Sequence, residues 1–543
     1  MEKPDRRNEE NDDAGCICQR WPMLVLALSF FVFGAIGMIV SYAMLRNKSL
    51  EHIHHYGVVI DAGSTHTDIT VYRWPSDVKY KGTAHVNQIG YSTCSNFGIS
   101  RFPESPSNAS KIIERCIEDV ALGKVPKHNR HHTPIYVGAT AGMRLLCARN
   151  QTTCEQIIES IRRSLKKYKF QTFEDSVKVL SGKDEGTFGW VTVNMLKKRI
   201  AEKQKSSDRP TFGALDMGGA SAEISFMPKT GTDLPSKYRS ELRLYGRNYI
   251  LYTHSFLCYG LKEAERRLLA SLIQESGYSS NVSNPCFPEG YEAKETAKEL
   301  WLAPCSIKPK GSIFPINDSS TYTFSGTSSP EECMKVVRKL FNETSCNFGS
   351  CSFDGIYQPE LTGNFVAFSG YGFIADFLNL TEDDSIDAFV RSGSEFCQKS
   401  WTQVKEENPG TSLKFLPKNC FNALYMNQIL TYGFHFEQNS TNVKFRSKVR
   451  GHDVGWSLGF MVNASNLVPV EEATSKITRQ DFIFFSSLSV VVIAFSFMLC
   501  FCYCIKSCGG GLRSTSRYLL DEQGSKQLCN LIKQLVPLFI SSR

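Results

Sequence analysis

The sequence lacks the features that would place it in several common classes. It has no low-complexity tract, which excludes a fibrous or wholly disordered chain. Its net charge of +8 is spread along 543 residues with no basic stripe interleaved with aromatics, which argues against nucleic acid as a partner. Nineteen cysteines are present but no paired Cys-x-x-Cys knuckles, so a structural zinc site is not indicated. No small-x-small cleavage site follows the first apolar run, and no clear retention motif is found.

What the chain does have begins with two apolar runs, 22–45 and 482–505. Each is about 24 residues without a polar face, and about 20 helical residues span a bilayer's hydrocarbon core. Nine Asn-x-Ser/Thr sequons open at Asn47, Asn108, Asn150, Asn281, Asn317, Asn342, Asn379, Asn439 and Asn463, all between the runs. Twelve cysteines lie in the same stretch. Sequons and an even cysteine count both belong to an oxidising, glycosylating compartment. The expected architecture is a tail at 1–21, a span at 22–45, an extracellular domain at 46–480, a second span at 482–505 and a tail at 506–543. Both tails are expected in the cytoplasm. Cys500, Cys502, Cys504 and Cys508 stand at the cytoplasmic end of the second span, where palmitoylation and unmodified apolar packing are equal readings.

Inside the domain one short pattern occurs twice. An apolar strand ending in Tyr56-Gly57-Val58-Val59-Ile60 leads into Asp61-Ala62-Gly63-Ser64-Thr65-His66-Thr67 and then a second strand. About 155 residues later an apolar strand leads into Asp216-Met217-Gly218-Gly219-Ala220-Ser221 and again a strand. Glycine lets backbone N–H groups approach phosphate oxygens, hydroxyls add donors, and the leading Asp suits a hydrated divalent cation. One such turn is a common hairpin. Two with matched strands point to a nucleotide.

Two further Gly-containing segments lie between the copies. Gly138-Ala139-Thr140-Ala141-Gly142-Met143-Arg144 ends a strand and begins a helix, where Thr140 and nearby N–H groups could face phosphate or simply pack. Gly182-Lys183-Asp184-Glu185-Gly186 does the same. There, one carboxylate could activate a water for attack on phosphorus, or both acids could cap the helix.

The four segments in this order, with Gly455-Trp456-Ser457-Leu458-Gly459 and Tyr252 to Gly260 (YTHSFLCYG), resemble the ecto-nucleoside triphosphate diphosphohydrolase (CD39-like apyrase) family, cell-surface subgroup. The resemblance covers the whole domain and both runs. It implies an α/β fold of two actin/Hsp70/sugar-kinase-like lobes with duplicated phosphate-binding hairpins, flanked by two transmembrane helices. It also implies hydrolysis of the terminal phosphates of extracellular ATP and ADP with Ca²⁺ or Mg²⁺, terminating purinergic signalling at the plasma membrane. The family pattern makes Glu185 the base. It gives Asp61 and Asp216 the metal through water, and places Gly63, Ser64, Thr65, His66, Thr140, Gly218, Gly219, Ala220, Ser221 and Glu223 around phosphate and water. Phe373 falls on a base-stacking position.

The family's disulfide pattern implies Cys94–Cys116, Cys258–Cys305, Cys286–Cys333, Cys346–Cys351 and Cys397–Cys420, leaving Cys147 and Cys154 as an added loop or free thiols. Expected glycosylation falls at Asn108, Asn150, Asn281, Asn317, Asn342, Asn379, Asn439 and Asn463. Extracellular nucleotides and membrane lipid are the implied partners. A homo-oligomer through the spans is suggested too, with Gly34 and Gly37 as small-residue support.

Two departures stand out. The family reads Ser-Thr-Gln where this chain has Ser221-Ala222-Glu223, and some relatives carry a basic residue where Leu261 precedes Lys262. These departures keep open a nucleotide-binding receptor or adhesion protein on the same scaffold. A Golgi or lysosomal nucleoside diphosphatase is a further reading, and a sugar kinase fits the disulfides and sequons poorly.

Overall fold

The computed structural model describes residues 21–46, 48–49, 53–200, 210–308, 317–342, 346–472 and 474–509. The chain divides into two compact units, 52–470 and the two ends together.

The terminal unit holds the helices Trp21–Arg46 and Arg479–Gly509, each containing a stretch long and apolar enough to cross a membrane. They pack on each other. Phe30 meets Phe495 edge-on with ring centroids 5.5 Å apart, and Ser496 Oγ donates to the Ala27 carbonyl at 2.6 Å. A Cβ on Gly34 would come within 2.6 Å of Ile493, and one on Gly37 within 2.7 Å of Ser489 Oγ. The glycines offered above as a self-association face are therefore used inside the chain: they let its own two helices approach. Residues 1–20 and 510–543, holding most of both tails, lie outside the described residues, as do Asn47 and the side chains of Cys502, Cys504 and Cys508. Cys500 is half-buried and unpaired.

The unit 52–470 is built on two sheets with one connectivity used twice. In the first, strands run in the order 87–95, 67–75, 54–62, 135–139, 177–179. In the second the order is 443–445, 365–369, 213–217, 221–226, 247–257, 239–244. Each centres on an antiparallel hairpin, 54–62 with 67–75 and 213–217 with 221–226. In each, a further antiparallel strand lies outside the hairpin and two parallel strands follow on the other side.

The segments leading into the two aspartates, 56–60 and 213–215, are apolar and buried on both faces of their sheets. Val58, Val59 and Ile60 are fully buried, as is Leu215. The helices Gly182–Leu196 and Trp456–Ala464 share one apolar cluster with both sheets, in which Trp190, Val191, Trp456 and Met461 meet Val59, Trp74, Ala214 and Val366. This shared core puts the two hairpin turns opposite each other. A third small sheet, 281–284, 321–326 and 292–296, decorates the second lobe.

Six disulfides close: the five implied pairs, and Cys147–Cys154 joining the helices Ala141–Arg149 and Gln151–Leu165. Asn108, Asn150, Asn281, Asn317, Asn342, Asn379 and Asn439 are exposed, whereas Asn463 is half-buried in the helix Trp456–Ala464. Asn150 also caps its helix, its side chain accepting from the Thr153 N–H at 3.0 Å.

Candidate active site

Each hairpin turn carries its aspartate at the end of an apolar strand. Cross-strand register then decides what faces it. Asp61 stands opposite Asp68, and Asp216 opposite Glu223, so each leading aspartate has a second acid on the same face. The turns themselves touch. A Cβ on Gly219 would lie 2.6 Å from Ser64 Oγ and 2.6 Å from Thr65 Cγ2, so only glycine permits this approach. Thr140 joins them from the side: its N–H donates to the Ala62 carbonyl at 3.2 Å, and it begins the helix Ala141–Arg149. Gly63, Ser64, Thr65 and His66 thus lie on one turn and Gly218, Gly219, Ala220 and Ser221 on the other, the two turns in contact and Thr140 beside the first.

The helix Gly182–Leu196 divides its two acids between two tasks. Ser181 Oγ accepts from the Asp184 N–H at 3.1 Å and donates to Asp184 Oδ2 at 2.8 Å, so Asp184 belongs to the cap. Glu185 turns the other way, into the protein, and is buried. Its partner is Arg144, whose Nη2 lies 2.5 Å from Glu185 Oε2. The same guanidinium lies 3.5 Å from Glu223 Oε1 and donates to Ser221 Oγ at 3.1 Å and Ser255 Oγ at 3.0 Å. Glu223 is 2% exposed and accepts from Ser221 and, at 2.7 Å, from Ser255.

One guanidinium among four carboxylates, with Glu185 and Glu223 buried and Asp61 and Asp216 half-buried, leaves a deficit of positive charge. Burial pushes all four up, because the ionised form loses water. Asp61 rises to about 7, mainly by burial, with His66 and the Trp456 indole pulling the other way and Asp68 adding to the rise. Glu185 and Asp216 are held well above the carboxylate range, first by burial and next by Glu223. Glu223 is raised by burial and restrained by Arg144 and the two serine hydroxyls.

Asp61 Oδ1 is buried with no hydrogen-bond partner. An orphaned carboxylate oxygen among like charges fits a divalent cation, which would satisfy the oxygen and relieve the repulsion. Among the described residues no three Asp, Glu, His or Cys side chains converge at ligating distance. Phe373, on the helix Gly370–Phe377, is 63% exposed, an aromatic face free of the core.

Sequence reasoning did not single out Arg144, Ser255, Asp68 or Tyr91. Arg144 carried a readable signal. It lies four residues after Thr140 and so on the same face of the helix that begins there. The others depend on cross-strand register: Ser255 faces Glu223, and Asp68 faces Asp61.

Two lobes of one connectivity, each presenting an Asp-led turn to the other beside a buried carboxylate, define an actin-like fold. The chain belongs to the GDA1/CD39 (nucleoside phosphatase) family, whose sequence model matches residues 47–478. It is therefore a hydrolase of phosphoanhydrides. It is 37% identical over 471 residues to ectonucleoside triphosphate diphosphohydrolase 8 of Gallus gallus, covering 85% of this chain and 93% of that one. It is 33% identical over 463 residues to ectonucleoside triphosphate diphosphohydrolase 1 of Mus musculus, covering 83% and 89%. Among solved structures, a nucleoside triphosphate hydrolase from Neospora caninum matches with a TM-score of 0.58 at 15% identity. That match covers 80% of this chain and 95% of that one, and the likeness is one of fold.

Proposed function

We propose that this protein is a membrane-bound ectonucleotidase that hydrolyses the terminal phosphates of extracellular nucleoside tri- and diphosphates, ending at the monophosphate and so terminating purinergic signalling. The observation that carries the reading is the separation of the two acids on one helix: Asp184 is consumed by the cap, while Glu185 is buried against Arg144, whose guanidinium also reaches Ser221 of the second turn.

The chemistry follows from that placement. The terminal phosphoryl group is bound by the N–H groups of the Gly63–His66 and Gly218–Ser221 turns, with Thr140 at the side. A water held by Glu185, Ser221 and Glu223 attacks the phosphorus in line with the leaving bridging oxygen. Its proton passes to Glu185 as the new P–O bond forms. The anhydride bond breaks, and the nucleotide leaves with the bridging oxygen. A Ca²⁺ or Mg²⁺ ion bound through water to Asp61 and Asp216 would neutralise charge on the phosphates. Phe373 offers its ring to the base.

The two apolar helices, the segregated sequons and the relatives' names support an extracellular active domain at the plasma membrane. Both tails are then cytoplasmic, and glycans sit on the exposed asparagines. The receptor alternative has less support, since Asp61, Glu185 and Asp216 are all present and brought together.

The test is phosphate release from ATP and ADP added outside intact expressing cells, with and without Ca²⁺ or Mg²⁺, for the parent and Glu185→Gln. A positioned general base contributes about 10²–10⁴-fold, so the variant should fall by at least about a hundredfold at equal surface display. Metal-dependent release by the parent alone supports the reading. A surface-displayed parent that binds nucleotide without releasing phosphate ends it in favour of a receptor.

A further inference from the structure

We propose that Asp68 and Tyr91 are positioning residues: through His66 they fix Thr65, and Thr65 sets the spacing between the two phosphate turns. The proposal rests on the hydrolytic reading above and adds residues that neither the motifs nor the chemistry of the step includes.

The geometry begins with a cost. Asp68 stands directly opposite Asp61, and its negative charge pushes the Asp61 carboxyl up. Asp68 Oδ1 is buried without a hydrogen-bond partner. A second acid beside a carboxylate already short of positive charge is unfavourable unless its other oxygen has a task. That oxygen has two polar neighbours. Tyr91, on the adjacent strand 87–95, donates its hydroxyl to Asp68 Oδ2 at 3.0 Å. His66 Nε2 lies 3.4 Å from the same atom.

The imidazole joins the acid to the turn. Its Nε2 lies in ion-pair range of Asp68, and its Nδ1 shares a hydrogen bond with Thr65 Oγ1, 3.0 Å away. Thr65 is thereby tied to the ring inside the turn. Its methyl and Ser64 Oγ form the surface on which Gly219 rests. The path Tyr91, Asp68, His66, Thr65, Gly219 runs from the outer strand of the first sheet to the contact between the turns. His66 is 48% exposed on the side chain, so nothing in the core would hold this ring without Asp68. A phosphate bound between the turns is gripped at a width that this path sets.

The test uses the full chain displayed on cells, with Asp68→Ala, Asp68→Asn, Tyr91→Phe and Thr65→Val compared at equal surface amount. Loss of a hydrogen bond to a charged group is worth about tenfold in an equilibrium constant. Asp68→Ala and Thr65→Val should therefore raise KM for ATP and ADP about tenfold, with kcat within about twofold, because both substrate and transition state are gripped by the turns. Asp68→Asn keeps an acceptor oxygen for the Tyr91 hydroxyl and a polar neighbour for the His66 ring, and should stay within about threefold of the parent. Tyr91→Phe should fall between.

Parental KM values in Asp68→Ala and Thr65→Val would overturn the proposal. So would Asp68→Asn as defective as Asp68→Ala, which would make charge and not position the cause. ATP affinity, measured on each variant combined with Glu185→Gln, separates the two readings. A parent that binds ATP but releases no phosphate ends the hydrolytic reading, while the order of affinities among the variants still decides this one.

Discussion

Arg144 Nη2 lies 2.5 Å from Glu185 Oε2, and the same guanidinium lies 3.5 Å from Glu223 Oε1. A single cation thus serves two buried carboxylates, and removing it leaves both without compensation. Breaking a buried ion pair by deleting one partner costs about 3–5 kcal/mol. Arg144→Ala should lower the thermal midpoint of the detergent-solubilised protein by several degrees and abolish phosphate release. Arg144→Lys keeps the charge but not the fork that reaches Ser221 and Ser255 together, so it should recover stability more than activity. Stability equal to the parent in Arg144→Ala would show that Glu185 and Glu223 are neutral without it.

Glu223 shares Arg144 with Glu185, and its effect has a definite sign. Glu185 acts as a base when ionised, so kcat/KM should rise with pH through the titration of the Glu185–Glu223 pair. After burial, Glu223 is the largest cause of the raised Glu185 carboxyl. Glu223→Gln removes that repulsion and leaves Arg144 wholly to Glu185. The acid limb of the kcat/KM profile should move to lower pH. A limb that stays in place, or moves up, would contradict the shared-guanidinium account.

The leading aspartates stood out in the sequence for a physical reason: turn chemistry is local, and the Asp-x-Gly pattern with a strand on each side repeats; Glu185 stood out from Asp184 only through the family resemblance. What faces each aspartate was not legible, because cross-strand register depends on how two segments align after folding. Asp68 acquires its place from register alone, and register sets Glu223, already a departure from the family pattern, opposite Asp216. The two acids at the start of the helix Gly182–Leu196 were legible as a pair but not as a division of labour. Only the rotamers show Asp184 on Ser181 and Glu185 turned inward. Gly34 and Gly37 were correctly seen as allowing close helix approach, but a sequence does not say which helix approaches. Here it is the chain's own.

Phe373 tests the outer end of the site. It is exposed on the helix Gly370–Phe377 and carries no part of the core, so its removal should leave stability unchanged. Stacking of a base on an aromatic ring is worth about 1–3 kcal/mol by alanine substitution. Phe373→Ala should raise KM for ATP by about fivefold or more with kcat little changed, and Phe373→Tyr should restore it. An unchanged KM would remove Phe373 from the substrate site.

The buried carboxylates also give the metal-free protein a pH-dependent stability. Asp61 titrates at about 7 in the folded protein against an ordinary value of 3.8. A carboxyl whose folded value is raised is protonated more readily when folded. Its contribution is fully present below about pH 4 and is lost as pH rises through 7. Glu185, Asp216 and Glu223 are raised in the same direction and add to the same trend. The chelated protein should therefore lose thermal stability between about pH 4 and 7 and beyond. A divalent cation that binds the folded state alone adds stability as RT ln(1 + [L]/Kd), about 2.7 kcal/mol at a hundredfold excess over Kd. Because it binds the ionised carboxylates, its effect should be largest above pH 7 and small at pH 5. Melting curves with chelator, Ca²⁺ or Mg²⁺ at both pH values decide the matter. The stabilisation at high pH should disappear in an Asp61→Asn, Asp216→Asn double variant. If the cation stabilises that variant as much as the parent, these aspartates do not hold it.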